Sequence, residues 1–118
     1  MITRTAVFEG RIKPGCEQQF FAGVEQRLAP LWQRFPHARN VRLLKIAAAD
    51  ADAPPIVMVQ QIDYPSMAAL EEAIASPVRA EARAVTLELM TMFEGRVYHL
   101  VSEGNAVEPQ QGQAGKAA

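Results

Sequence analysis

The order in which strand-like and helix-like segments follow one another constrains this chain most strongly. Four segments are rich in β-branched and aromatic residues and end at Pro or Gly, which predicts four strands. They are residues 3–12, 41–47, 56–64 and 96–102. Between them, apolar residues recur at steps of three and four, which predicts helices over residues 14–35 and 66–92. The predicted order is strand, helix, strand, strand, helix, strand.

That order is typical of the ferredoxin-like α+β fold, βαββαβ, in which a four-stranded antiparallel sheet carries two helices on one face. A sheet with one wet face alternates apolar and polar residues, whereas the segments RLLKI and IVMV are apolar at consecutive positions. Both faces of the sheet are therefore expected to be covered. The helices cover one face, and a second copy of the chain is the simplest cover for the other, so we predict a homodimer packed through its sheet faces.

Length and charge limit the remaining possibilities. With 118 residues the chain is sized for one domain, which we place at residues 1–103. Residues 104–118 lack apolar periodicity and are predicted to be a disordered tail. The net charge of −1 is spread along the chain without a basic stripe, so nucleic acid is not expected as a partner.

The cysteine and histidine content points to a plain cytoplasmic protein without a metal. Cys16 is the only cysteine, so no intrachain disulfide forms and a reducing compartment is expected. The first residues carry no signal-peptide core, and no apolar run approaches the ~18 residues that span a bilayer, so no membrane partner is expected. Two histidines without a paired carboxylate or cysteine spacing predict neither a metal site nor a cofactor.

Prolines and serines punctuate the two helices. Pro30 cannot donate a backbone hydrogen bond, so the first helix is expected to kink or to break into two pieces, leaving room beneath Trp32. Pro36 then ends it. In the second helical segment, Ser66 and Ser76 are predicted N-caps, and Pro77 restarts the helix.

Two short segments support a resemblance to a known family. APLWQRFP, residues 29–36, and MAALEEAIASPVRAEARA, residues 67–84, together with the element order resemble the dimeric α+β barrel superfamily and its EthD-like branch. The resemblance covers residues 3–102. It implies a pocket in each protomer, between the sheet and the helices, for a small apolar or aromatic ligand. Relatives include cofactor-independent monooxygenases, muconolactone-type isomerases and proteins without known activity.

One position departs from the family pattern and turns attention to the two histidines. Family members often carry a histidine directly before the Ala-Pro pair, where this chain has Leu28, which neither accepts a proton nor binds a metal. His99 lies in the middle of the last strand, on one face with Val97 and Val101, and is the candidate catalytic residue. A hydrogen-bonded core or interface histidine is the alternative. His37 follows Pro36 on a surface connection and is a weaker candidate ligand-binding residue.

Polar and aromatic residues complete the predicted pocket. Gln60 and Gln61 are adjacent in an apolar strand, so one of them must face the pocket, and Gln61 is named as the ligand-binding candidate. Trp32 and Tyr64 are predicted pocket walls. Tyr98 is predicted to assist His99 or to contact the ligand.

Two functions from different classes fit these features. The first is an EthD-like small-molecule-binding protein that acts as a cofactor-independent enzyme, of monooxygenase or isomerase type, on an aromatic or lactone-like substrate in catabolism or secondary metabolism. The second is a non-catalytic accessory or carrier protein of the same fold, which Leu28 favours. Haem degradation is a third possibility, disfavoured because neither histidine falls on the second helix.

Overall fold

The chain forms one antiparallel sheet with helices on one face, and the computed structural model describes residues 1–110. The strands are β1 (Ile2–Ile12), β2 (Arg39–Lys45), β3 (Ile56–Tyr64) and β4 (Phe93–Glu103). The helical segments are α1 (Glu17–Gly23), a π-helical turn (Val24–Leu28), α2 (Ala29–Trp32), α3 (Met67–Ile74), α4 (Pro77–Leu89) and a 3-10 turn (Met90–Met92). Among the described helices, none combines the length and the apolar character needed to cross a membrane.

The strand order β2-β3-β1-β4, with every neighbouring pair antiparallel, confirms the predicted ferredoxin-like α+β fold. Strand β3 has the predicted bounds, and β1 begins one residue earlier than predicted. Strand β2 is displaced by two residues toward the N-terminus, and β4 begins at Phe93 rather than at residue 96. The composition of these segments and the Pro and Gly residues that bound them thus located every strand of the sheet.

The early start of β4 depends on a pair of glycines. Gly95 was expected to precede the strand, but it lies within β4, directly opposite Gly10 of β1. Both have positive φ, 137° at Gly10 and 146° at Gly95, which favours glycine. A Cβ on either residue would collide with the backbone of the facing strand, at the carbonyl of Glu94 or of Glu9. Two glycines therefore allow the strands to continue where larger residues would stop them.

The first helix breaks before Pro30, as predicted, and does so through a widened turn. The Ala29 N–H donates to the Val24 carbonyl, five residues back, and this spacing defines the π-helical turn between α1 and α2. The wider turn accommodates the proline, which has no N–H to donate. The helix begins at Glu17 rather than at Pro14, because Gly15 has a φ of 80°, outside the helical region.

The second helical segment is capped as predicted. Ser66 Oγ accepts a hydrogen bond of 3.1 Å from the Ala69 N–H at the start of α3. Ser76 Oγ accepts one of 3.3 Å from the Arg79 N–H at the start of α4. Each cap satisfies a backbone donor that the helix itself leaves free, which fixes where the two helices begin.

The hydrophobic core lies between the sheet and the helices. Five of its residues have no exposed surface at all: Phe20, Val24, Leu28, Met58 and Ala73. Phe8 contacts Phe20 and Phe93 edge to face, with ring centroids 6.5 and 6.3 Å apart. Because Phe8 is central and the other two come from α1 and β4, this cluster ties the first helix to the last strand.

The opposite face of the sheet carries no helix within the described residues. Val7, Val59 and Tyr98 point to it from three adjacent strands, and Leu44 and Leu100 flank them with exposed fractions of 44% and 55%. The consecutive apolar residues of β2 and β3 thus point alternately into the core and onto this face, which we call the open face. Its apolar surface is the feature from which the sheet-to-sheet dimer was predicted.

The domain bounds predicted from the sequence remain a prediction. Residues 104–110 follow β4 without a helix or strand and are exposed to solvent. The rest of the predicted tail, residues 111–118, lies outside the described residues.

Candidate functional site

A cleft of about 680 Å³ lies between the helix-covered face of the sheet and helix α4. Each residue that α4 contributes lies three or four positions from another of them, so together they form a single stripe along the helix. They are Arg79, Ala82, Arg83, Thr86 and Leu87, followed by Met90 in the 3-10 turn. One wall of the cleft is therefore the full length of α4.

The floor of the cleft is a row of three side chains across the sheet. Ala6 of β1 lies opposite Gln60 of β3 on one side and opposite His99 of β4 on the other. Residues opposite each other in antiparallel strands point to the same face. Because the side chain of Ala6 is only a methyl group, the floor has a depression at this position. The amide of Gln60 and the imidazole of His99 lie on either side of it.

Aromatic side chains form the apolar part of the cleft. Trp32 and Phe35, at the end of the first helical segment, line it and are otherwise packed into the core, with exposed fractions of 5% and 7%. Phe8 and Val97 lie opposite each other on β1 and β4 and extend the floor beyond Ala6. A flat apolar molecule therefore has surfaces to pack against on the floor and on one wall.

The charged side chains that line the cleft are all basic. Arg4 reaches it from β1, and Arg79 and Arg83 reach it from α4, while no described acidic residue lines it. In residues 1–110, none of these three arginines has a carboxylate within ion-pair distance. Burial lowers the pKa of the Arg4 guanidinium, and the charge of Arg79 lowers it further. The cleft is electropositive.

His99 lies in this positive environment. Burial of the ring, reinforced by the charges of Arg4 and Arg79, lowers the pKa of His99 to about 4. The imidazole is therefore neutral at pH 7 and has one ring nitrogen with a free lone pair. Such a group accepts a proton or a hydrogen bond from a molecule in the cleft.

Two of the residues named from the sequence line the cleft, His99 and Trp32. Tyr64 is in the core on the same face of the sheet, 1% exposed, and does not line the cleft. Burial raises the pKa of its phenol, while the nearby Arg4 acts in the opposite direction. Tyr64 thus lies in the core next to the cleft, close to Arg4.

Three other named residues lie elsewhere. Gln61 points to the open face, where its amide oxygen accepts hydrogen bonds of 3.2 and 3.0 Å from Arg42. Tyr98 is also on the open face, with the Arg96 guanidinium 4.9 Å from its ring centroid. His37 is exposed, and its Nε2 lies 2.6 Å from a carboxylate oxygen of Glu72. None of the three lines the cleft.

The sequence analysis did not name three arginines of the cleft, Arg4, Arg79 and Arg83. Of the two adjacent glutamines it preferred Gln61, whereas Gln60 is the one that lines the cleft. The apolar residues that predicted the second helical segment include Val78, Ala82 and Val85, which pack in or against the core. Arg79 follows Val78 and Arg83 follows Ala82, so both arginines lie beside these apolar residues on the surface of α4. Arg4 itself is a charged residue at a core-facing position between Ile2 and Ala6, and this was the signal available in the sequence.

The open face carries a separate polar cluster. Asp63 accepts hydrogen bonds from Thr3 Oγ1 at 2.7 Å, Asn40 Nδ2 at 2.9 Å and Arg42 Nη1 at 3.1 Å. The Arg42 guanidinium, above all, holds the pKa of the Asp63 carboxyl at about 2, with further lowering from Thr3 and Asn40. Every polar group of the cluster is thus engaged within the sheet, which indicates a structural role.

Comparison with solved structures identifies the fold. An ethyl tert-butyl ether D (EthD) family protein from Bacillus halodurans superposes with a TM-score of 0.69 and 18% identity, over 89% of this chain and 99% of that chain. For an assigned antibiotic biosynthesis monooxygenase from Bordetella bronchiseptica, the TM-score is 0.61 at 20% identity, over 89% and 98% of the two chains. A dimeric protein of unknown function with a ferredoxin-like fold, from Bacteroides fragilis, gives 0.63 at 8% identity, over 87% and 95%.

These likenesses span nearly the whole of each protein, so the chain has the ferredoxin-like α+β fold that these structures share. The fold that the sequence resemblance implied is confirmed. No protein-family model matches the sequence, and no curated protein matches it significantly. At identities of 20% or less the structural likeness establishes the fold and leaves the activity to the residues of the cleft.

Proposed function

We propose that this protein binds a small organic molecule with an aromatic or lactone-like body in the cleft beside α4, and that His99 accepts a proton from it. The observation that carries the proposal is the neutral imidazole of His99 on the floor of a cleft walled by Trp32 and Phe35. A proton acceptor beside an apolar binding surface is the minimum equipment for acid–base catalysis without a cofactor.

The reaction class that these residues support best is an isomerisation by proton transfer. The free ring nitrogen of His99 takes a proton from a carbon next to a carbonyl, and the electron pair of the C–H bond moves onto the carbonyl oxygen as an enolate. The adjacent arginines stabilise that negative charge. In a substrate with a C=C bond between the β and γ carbons, the imidazolium then returns the proton to the γ carbon while the enolate electrons re-form the carbonyl and shift the C=C bond to the α and β carbons. A monooxygenase-type reaction would start from the same carbanion and needs molecular oxygen as a second substrate.

A non-catalytic carrier or accessory role is the second candidate. Leu28 occupies the position where family members often carry a histidine, and its side chain is completely buried in the core. That position therefore contributes no reagent to the cleft. In a carrier, the cleft retains the ligand without changing it, and His99 serves only as a hydrogen-bond acceptor.

We further propose that the protein is a homodimer that pairs through the open faces of its sheets, in the cytoplasm. Leu44 and Leu100 expose apolar surface on that face, and pairing would remove it from water. The single cysteine fits a reducing compartment. The dimeric neighbour from Bacteroides fragilis supports such an assembly by analogy of fold.

The test begins with native mass spectrometry of the gently purified protein, which detects a co-purified small molecule by the mass lost on denaturation. The compound class found there is then titrated against the protein, with the fluorescence of Trp32, the sole tryptophan, as the signal. If the protein is an enzyme, His99→Ala lowers the turnover rate by about a hundredfold or more, as expected for loss of a general base.

His37→Ala is the matched control, because His37 is exposed, pairs with Glu72 and does not line the cleft. It should leave both binding and turnover unchanged. Ligand binding without turnover in any variant supports the carrier role. Absence of binding to a broad panel of aromatic and lactone compounds overturns the proposal.

A further inference from the structure

We propose that the ligand of the cleft is a carboxylate, with its carboxyl group held between Arg4 and Arg79 and its apolar body extending along the floor past Ala6 toward Phe8 and Met90. This inference rests on the proposed function, since it names the chemical class of molecule that the same cleft accepts. It is carried by the polarity of the cleft, by the unpaired charges in it and by the place of Arg79 on its helix.

The cleft is basic at one end and apolar at the other. Strand β3 ends at Tyr64, opposite Ile2, so α3 and α4 begin near the start of β1. The 3-10 turn after α4 leads into Phe93, opposite Ile12, so α4 and β1 run in the same direction. Arg4 and Arg79 therefore share one end of the cleft, where each feels the charge of the other. Phe8 and Met90 share the other end.

The arginines at the basic end lack protein partners among the described residues, unlike several arginines elsewhere. Arg11, Arg42 and Arg96 each form an ion pair with a carboxylate at 2.9 to 3.1 Å. Arg4 is half-buried and sits beside a second positive charge, with no carboxylate in reach within residues 1–110. Two partly desolvated like charges destabilise the empty protein, and a bound anion removes that cost.

The position of Arg79 on α4 adds to this cost. Ser76 is the N-cap and Pro77 the first helical residue, so Arg79 is in the first turn, which contains no acidic residue. The positive end of the helix dipole is at that turn and disfavours a cation there. The charge of Arg79 therefore does not stabilise α4, and it adds to the positive potential of the cleft.

The chemistry of the two ends selects the ligand. A guanidinium pairs with a carboxylate through two parallel N–H···O bonds, and two guanidinium groups can hold its two oxygens. A volume of about 680 Å³ far exceeds what a carboxyl group alone would fill, and falls in the range of ordinary small-molecule pockets. The remaining space is bounded by Trp32, Phe35 and Val97, so the rest of the molecule is apolar and compatible with an aromatic ring.

Binding of a carboxylate would also change His99. The charged groups that face the cleft are Arg4 from β1 and Arg79 and Arg83 from α4, while β3 contributes the neutral Gln60. Arg96 of β4 also borders the cleft, but its guanidinium is paired with Glu9 and lies over the Tyr98 ring on the open face. A carboxylate beside Arg4 and Arg79 offsets the two charges that oppose protonation of the imidazole. The substrate would thus make His99 a stronger base at the moment when a base is required.

The test compares two probes of nearly equal shape, 2-naphthoate and 2-naphthamide, by isothermal titration calorimetry at pH 7. We expect the carboxylate to bind at least ten times more tightly than the amide. Arg4→Gln and Arg79→Gln should each abolish most of this preference. Arg34→Gln is the control, because Arg34 is exposed, has no ion pair among the described residues and does not line the cleft.

The two proposals fail in different ways. If the amide binds as tightly as the carboxylate, the ligand class is wrong while the small-molecule function stands. If neither probe, nor any other aromatic compound, binds, the proposed function itself is overturned. The comparison of probes on the unmodified protein does not depend on whether the arginine variants fold.

A second readout uses the titration of His99 itself. In a His37→Gln background only one histidine remains, so its ring proton resonance is assigned without ambiguity. Saturating 2-naphthoate should raise the pKa of His99, whereas 2-naphthamide should not raise it. An equal effect of both probes, or none, would contradict the placement of the carboxylate beside Arg4 and Arg79.

Discussion

Ala6 and His99 face each other across β1 and β4, so the imidazole stands beside the smallest side chain of the cleft floor. A larger residue at position 6 would occupy the depression that a ligand needs. The pairing therefore makes position 6 a direct probe of whether the cleft is the binding site.

Ala6→Leu should weaken ligand binding by about a hundredfold, because the added side chain fills the floor between Gln60 and His99. The cost in folding free energy should stay within ~1–3 kcal/mol, the usual range for overpacking next to open space. Fluorescence titration and thermal unfolding measure the two effects. Ala84→Leu, at an exposed position of α4, is the control and should leave binding unchanged.

The lowered pKa of His99 predicts a pH-dependent loss of stability. The pKa is about 4 in the folded protein, below the value of about 6.5 expected in the unfolded chain. Between these values the unfolded state binds more protons, so this histidine destabilises the fold as the pH falls from 6.5 to 4. His99→Gln should therefore lose less thermal stability between pH 7 and pH 5 than the unmodified protein. An identical loss in both would mean that His99 titrates normally.

The Asp63 carboxylate should stabilise the fold over the opposite part of the pH scale. Its pKa of about 2 lies below the value of about 3.9 expected when unfolded, so its contribution is complete above pH 4 and is lost as the pH falls to 2. Asp63→Asn should cost on the order of 2 kcal/mol in denaturant unfolding at pH 7 and much less near pH 2. Asp50→Asn, in an exposed turn, should show no such dependence.

Leu100→Asp tests the proposed dimer. Leu100 is 55% exposed on the open face, and a carboxylate there would be buried without a partner if two sheets pack together. The dissociation constant of the dimer should rise by about a hundredfold or more. Light scattering coupled to size-exclusion chromatography measures the change. Met67→Asp, at a similarly exposed apolar position on α3, should not alter the mass, and a monomeric unmodified protein would refute the interface.

Gly95→Ala should destabilise the protein by about 2 kcal/mol or more. The φ of 146° is unfavourable for alanine, and the new methyl group would meet the Glu9 carbonyl of the neighbouring strand. The midpoint of thermal unfolding would fall accordingly. Gly104→Ala has no atom closer than 3.9 Å to the added group and should have little effect.

The fold could be predicted from the sequence because the composition of each strand, the periodicity of each helix and the order of the elements all agree. The second helical segment is specified by local features. These are the apolar steps of three and four along α4 and the N-caps Ser66 and Ser76, which can be recognised without knowledge of tertiary contacts. The structure differs from the sequence prediction where a neighbouring strand overrides the local preference of a residue. Gly95 looked like a strand boundary, and only its pairing with Gly10 shows that β4 runs through it.

The site was harder to predict, because its composition depends on how elements dock. Because side chains alternate along a strand, Gln60 and Gln61 must point to opposite faces of the sheet. The alternation does not reveal which of the two faces the helices cover. The same limit applies to Arg79 and Arg83. They lie beside the buried apolar stripe of α4, and they line the cleft because that side of the helix faces the sheet. Arg4 belongs to β1, an inner strand of the sheet, and it reaches the cleft because the helices cover the face to which it points.

Strand β1 presents its alternate residues to two different surroundings. Arg4, Ala6 and Phe8 line the cleft, and Thr5 and Val7 belong to the open face. A ligand and a second protomer would thus be separated by the thickness of one peptide backbone. A shift of this strand by one residue would exchange the two sets of side chains. A point substitution in β1 thus alters one surface and leaves the side chains of the other unchanged, whereas a register error in this strand would disrupt ligand binding and self-association together.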